Sequence, residues 1–229
     1  MRLDKYLAQA TGFSRKEVRR FMKAGEVVVN DLATKNPALH VTDDDEVYLS
    51  GYPVEAPGER YLMLHKPPGC VCSNDDGTHP TVLSLIDLPR AEELTICGRL
   101  DVDTTGLVLI TSNGQWAHKI TSPKHKTGKR YHVITADPIS GAAVEKFAKG
   151  LMLINEKERT KPAKLTLIAE CEAEVVLTEG RYHQVKRMFA AIGNKVEALH
   201  RVSIGPITLD EDLEPGEFRF LTDNEINSI

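Results

Sequence analysis

Residues 98–114 read GRLDVDTTGLVLITSNG. Two carboxylates, Asp101 and Asp103, stand two positions apart, with Arg99 just before them and Thr104, Thr105 and Gly106 after them. Such a pair could ligate a metal, act as nucleophile or base, or simply shape a turn. The DVDTT order imitates the D-x-D-x-T opening of magnesium-dependent phosphatases that work through an aspartyl nucleophile. That chemistry needs an apolar strand ahead of the aspartates, so that they emerge at its C-terminal edge. Here Gly98 breaks the preceding segment, and the apolar run Leu107-Val108-Leu109-Ile110 comes afterwards. A glycosidase needs a second carboxylate about 5 Å or more away across the scissile bond, and this pair would flank nothing. Dinucleotide and P-loop glycine fingerprints are absent. A lone aspartate that needs a cation remains.

Arg99 is one source of that cation. A second lies in EGRYHQVKRMFAAIGN, residues 179–194. Helical spacing puts Val185, Met188, Phe189 and Ile192 on one buried stripe. His183, Lys186 and Arg187 fall at i, i+3 and i+4 and share another side. Alone, that is an ordinary basic surface helix. Its use to an aspartate is electrostatic: a fixed basic neighbour keeps a sequestered carboxylate ionised.

The elements that must position these groups mix without a regular βαβ alternation. The fold class expected is α+β, with a mixed, largely antiparallel sheet and flanking helices. Residues 1–50 read as a small module. Leu3, Leu7 and Ala10 give a short helical face; Ser14–Glu17 is a capping box opening a helix through Ala24, with Gly25 as its stop. Val27–Val29, a turn at Asn30-Asp31, and Glu46–Leu49 follow as strands. Residues 51–60, GYPVEAPGER, have linker composition. The larger domain, 61–229, should carry strands at 61–64, 107–111, 130–135, 163–168 and 174–177. Helices are expected at 80–86, 140–149 and 182–192.

With 41% hydrophobic and 27% charged residues, the chain has an ordinary globular composition. No apolar run approaches the roughly 20 residues that span a membrane. The N-terminus lacks a secretory pattern, so the cytoplasm is the expected location. Cys70, Cys72, Cys97 and Cys171 read as reduced thiols, and no second close pair completes a zinc site, so no metal is expected. The net charge of −4 hides segregation. Residues 1–30 hold seven Lys/Arg (Arg2, Lys5, Arg15, Lys16, Arg19, Arg20, Lys23) against three acids. Residues 104–136 hold five basic residues and no acid, whereas the stretch from Asp210 holds seven acids and Arg219. Basic faces on an acidic remainder steer a polyanion to one side. Lys119, Lys124, Lys126, Lys129 and Arg130, interleaved with Gly, Ser and Thr, read as a track for RNA phosphates.

RLDKYLAQATGFSRKEVRRFMKAGEVVVND resembles the S4 RNA-binding module, in which Arg2, Arg15, Lys16, Arg19, Arg20 and Lys23 would meet RNA. GRLDVDTTGL resembles the signature of the RsuA/RluA superfamily of pseudouridine synthases. HKPPG, GKRYHV and EGRYHQVKRM match its other motifs in order, so the resemblance covers essentially all 229 residues. It implies a catalytic domain that isomerises a uridine of RNA with no cofactor. The catalytic residues it implies are Asp101, Tyr131 as stacking platform and proton-transfer phenol, Lys186 as the partner of Asp101, and Leu199 as an apolar wall. Arg187 is the alternative partner, and Asp103 a residue of the loop. The family usually has arginine at the place of Lys186, which keeps the charge but loses the planar fork. Arg99, His183 and Arg187 join the residues expected to hold RNA. The nearest branch modifies 16S rRNA, at uridine 516. Its partner would be that RNA or a small-subunit assembly particle, with the enzyme a monomer. Large-subunit relatives more often carry Asn-Arg-Gln where this chain has Tyr182-His183-Gln184. Modification of 23S rRNA and a non-catalytic rRNA-binding assembly factor stand as alternatives.

Overall fold

The computed structural model describes residues 1–42, 44–55, 58–122, 125 and 127–229. The chain divides into two compact units, Met1–Glu59 and Arg60–Ile229.

In the first unit, α1 (Leu3–Thr11) and α2 (Arg15–Ala24) precede β1 (Val27–Val29), β2 (Leu32–Ala33), β3 (Val47–Leu49) and β4 (Tyr52–Pro53). The sheet order is β2-β1-β3-β4. The Ser14 hydroxyl accepts from the Glu17 amide, while the Glu17 carboxylate accepts from the Ser14 amide, so the expected capping box opens α2. Gly25, at φ +82°, ends it. Leu3, Leu7, Val18 and Met22 pack on Val27, Val29 and Val47. Asn30 and Asp31 both hold positive φ, which matches the twist of a tight hairpin. Ser50 and Gly51 do the same. This second turn folds Tyr52–Pro53 back onto β3, so the stretch read from composition as linker supplies a strand.

The second unit holds β5 (Tyr61–Lys66), β6 (Thr95–Ile96), β7 (Thr105–Thr111), α3 (Gly114–Thr121), β8 (Lys129–Thr135), α4 (Ala142–Lys149), β9 (Lys164–Ala169), β10 (Glu172–Leu177), α5 (Gln184–Ala191), β11 (Val196–Ile204), β12 (Ile207–Thr208), β13 (Phe218–Phe220) and α6 (Asp223–Asn227). The main path of its nine-stranded sheet runs β13-β5-β7-β11-β8-β10-β9, with β6 on β7 and β12 on β11. Only β7 and β11 pair in parallel among the described strands, so the sheet is mixed and largely antiparallel, as expected. The run Leu107–Ile110 is fully buried because both faces of the sheet are covered. Val108 and Ile110 join Leu64, Val133, Phe147 and Phe189 on one side. Leu107 and Leu109 join Met63, Trp116, Ile204 and Leu221 on the other.

Several elements differ from expectation. Residues 80–86 make only a short 3₁₀ turn, Val82–Leu85, whose cap Thr81 gives no side-chain bond. The helix expected from Tyr182 begins at Gln184, because His183 adopts a left-handed φ of +47° that cannot continue an α-helix. Asn113 caps the unexpected α3 by accepting from the Gln115 and Trp116 amides. Strand β11, also unexpected, is the centre of the sheet.

Candidate active site

Asp101 opens a tight turn: the Thr104 amide donates to its carbonyl at 3.2 Å. The turn rests on a buried cation. Lys66, fully buried at the end of β5, donates to the carbonyls of Thr104 (2.8 Å), Pro67 (3.1 Å) and Val102 (3.2 Å). The Gly69 N–H also donates to Val102 O, at 2.8 Å. The HKPPG segment is thus the cradle of the aspartate loop. Burial pushes the Lys66 pKa down, and the three carbonyls replace the water its ammonium has lost.

A second buried cation fixes the flanks. Arg201 on β11 donates from Nε to Leu107 O (2.7 Å) and through its two terminal nitrogens to Arg99 O (3.3 Å) and Gly98 O (3.1 Å). Beside it, Gly106 has φ +104°, and a Cβ there would stand 2.3 Å from the Arg201 carbonyl oxygen. Glycine at 106 therefore serves the close parallel approach of β7 to β11 rather than the turn itself. Thr104 is buried within the loop, and its hydroxyl has no hydrogen-bond partner among the described residues.

The C-terminal motif splits into scaffold and site. Gln184 accepts from the Arg181 amide (2.8 Å) and donates to Glu179 (2.7 Å). Arg181 ties down the carbonyls of Glu158 and Arg159. Arg187 donates to Glu156 (2.9 Å), Ile154 O (2.8 Å) and Tyr182 O (3.1 Å), and so is occupied away from Asp101. This network sets the entry to α5 so that two groups meet the loop. His183 Nε2 lies 3.4 Å from Asp101 Oδ1. Lys186 Nζ lies 3.6 Å from Asp101 Oδ2 and 2.6 Å from Asp103 Oδ1. The cation is shared by both aspartates. Lys186 bonding holds the Asp103 carboxyl below the usual carboxylate range.

Asp101 opens into a cavity of about 570 Å³ whose wall includes Tyr131, Leu199, Arg99, Lys129, Tyr182 and His183. Tyr131 and Leu199 are buried side chains of β8 and β11. Lys186 contacts the aspartates without lining the cavity. Cys72 also lines it; burial pushes its thiol pKa up, which suits an unreactive group. Basic side chains (Arg99, Lys129, Arg181) and buried rings and apolar groups (Tyr131, Leu199, Val185) share this wall with the Asp101 carboxylate, a lining that suits a planar base carried on a polyanion.

Of the residues expected to hold RNA, Arg99, Lys129 and His183 line the cavity. Lys119 is exposed on α3 and donates to Ile229 O at 3.2 Å, while Arg130 faces Glu174 at 3.6 Å. Lys124 and Lys126 lie outside the described residues. In the first unit Arg2, Arg15, Lys16, Arg19, Arg20 and Lys23 are all exposed, with Arg2 and Arg19 bonded to the buried Asp4. Lys66 and Arg201 escaped sequence reasoning. The signal for Lys66 was its parity with Leu62 and Leu64, which places it on a buried face.

Comparisons with known proteins agree with this geometry. The family model described as RNA pseudouridylate synthase matches residues 60–191, and the S4 domain model matches residues 1–47. The chain is 55% identical to the ribosomal small subunit pseudouridine synthase A of Vibrio parahaemolyticus, covering all of this chain and 99% of that protein. It is 50% identical to the protein of the same name from Escherichia coli strain K12, covering 100% of both. A crystal structure of a pseudouridylate synthase superposes with a TM-score of 0.73 at 47% identity, over 100% of this chain and 99% of that one. With the aspartate loop, its cations and the cavity already in place, these matches show that the chain belongs to the RNA pseudouridylate synthase family.

Proposed function

We propose that this enzyme converts a uridine of small-subunit rRNA to pseudouridine, with Asp101 as the reacting carboxylate. The observation that carries the reading is Asp101 held between His183 and Lys186 at a cavity walled by Tyr131 and Leu199. The names of the full-length relatives support the small subunit as the source of the substrate. Uridine 516 of 16S rRNA is the target implied by the sequence motifs, and the cytoplasm the place of work. Among the described residues no helix is long and apolar enough to cross a membrane.

The target base must leave its stack to enter the cavity. The N1–C1′ bond then breaks, the uracil turns, and C5 bonds to C1′; the C5 proton leaves and N1 takes one up. Atoms and electrons balance within the substrate, so the reaction calls for no cofactor. Two roles are open to the Asp101 carboxylate, attack at C1′ or removal of a ribose proton, and both need it ionised. Lys186 Nζ at 3.6 Å and His183 Nε2 at 3.4 Å are the groups that face its two oxygens. Tyr131 supplies a ring against the uracil and a phenol for proton transfer at C5. The basic face of α2 in the first unit, and Lys119, Lys129 and Arg130 in the second, offer sites for phosphates.

Asp101→Asn should reduce pseudouridine formation in 16S rRNA to background while RNA affinity stays within a few-fold. Full activity in that variant would overturn the assignment of Asp101. Mapping pseudouridines in rRNA from cells lacking the protein tests the target: loss at position 516 supports it, and loss only in 23S rRNA would replace it.

A further inference from the structure

Tyr182 is 72% exposed and adds nothing to the core. Its ring nevertheless has a fixed place. It stacks on His183, with centroids 3.8 Å apart and planes 19° from parallel. His183 in turn holds a left-handed backbone and points Nε2 at Asp101, and the Tyr182 carbonyl accepts from Arg187. One face of the tyrosine is covered by the imidazole and the other is open. Both rings belong to the wall of the cavity that contains Asp101.

The buried Tyr131, only 8% exposed, suits the reacting uracil deep in the cavity. Tyr182, at the rim, is too open to enclose it. Flipping one base out of a strand leaves its neighbour without a stacking surface, and an aromatic face is the side chain that replaces one. A ring already stacked needs little further ordering to do so. Resting on the reading above, we propose that the open face of Tyr182 stacks the nucleobase adjacent to the target uridine, so that the Tyr182–His183 pair is a subsite for the flanking nucleotide.

The test is steady-state pseudouridine formation on a 16S rRNA fragment, intact or with an abasic nucleotide on the 5′ or the 3′ side of the target. Tyr182→Ala should raise KM roughly 5- to 150-fold, the factor that loss of one base–aromatic stack brings, with kcat within two-fold. Tyr182→Phe should keep KM within two-fold. One of the two abasic fragments should raise the wild-type KM similarly, and on it Tyr182→Ala should add nothing. An unchanged KM for Tyr182→Ala, a loss confined to kcat, or a KM effect that persists in full on both abasic fragments would overturn the subsite. In each of those cases the wild-type enzyme remains active, so the proposed function stands. A wild-type protein that forms no pseudouridine in any RNA would overturn both.

Discussion

Lys186 sits closer to Asp103 than to Asp101, at 2.6 Å against 3.6 Å. An ammonium can do this because it is a compact point charge with three donors; a planar guanidinium would commit to one carboxylate. Asp103 therefore holds the cation in register, and the Asp101 carboxylate feels it without being locked to it. Lys186→Met should lower the single-turnover rate of pseudouridine formation by about 100-fold, the scale of loss when a reacting group is displaced by about 1 Å. Lys186→Arg should restore part of that loss, and RNA affinity should move little in either variant. That Asp101, Tyr131 and Leu199 would meet at one place, with Lys186 against the aspartate, was legible in the sequence because short motifs carry them. Sharing of the cation was not, since it depends on where α5 begins. Lys66 was hidden for a related reason: a lysine ending an apolar strand reads as exposed until the carbonyls of a loop further along the chain close over it.

At the scale of elements, the parallel pairing of β7 and β11 is the joint that aims the aspartate loop. It places His200 opposite Thr105 and Arg201 opposite Gly106. Gly106→Ala would add a methyl group 2.3 Å from a backbone oxygen, at a φ that L-residues rarely adopt. The expected cost is about 3 kcal/mol or more, read as a large drop in the denaturation midpoint of the second unit and a matching loss of activity. The short strands around uninterrupted apolar runs, such as β5 and β7, were visible in the sequence by composition. Strand β11 was not, because VEALHRVSI lacks clean alternation. Its buried positions include Arg201, and its register against β8 shifts between Val196 and Ala198 and again between Arg201 and Ser203. Such irregularities are frequent beside active sites, where they re-aim side chains.

At the scale of the whole molecule, the two units owe their stability to different things. The first is small and, among its described residues, keeps one buried acid, Asp4, bonded by Arg2 and Arg19. The Arg2 hydrogen bond, with help from Arg19, lowers the Asp4 pKa from 3.8 to about 2. A depressed carboxylate stabilises the fold above its unfolded pKa and loses that contribution as pH falls through the folded one. The first unit should thus lose about 2 kcal/mol between pH 3.8 and 2. Acid titration of its unfolding, followed by near-ultraviolet signals of Tyr6 and Tyr48, checks this, and Asp4→Asn should remove the transition. The second unit depends instead on partners far apart in sequence. Asp101 meets His183 and Lys186, Arg201 secures the carbonyls of Gly98 and Arg99, and Phe218 of β13 pairs with Leu64 of β5. Contacts of such separation form late and slowly. On the ribosome, a nascent chain displays its basic helix α2 and its aspartate loop long before the helix α5 and the strand β11 that meet that loop have been made. Until translation has passed β11 the chain lacks Leu199 and Arg201, and with them the clamp on Gly98, Arg99 and Leu107, so activity is expected only from a chain that has been made past that strand.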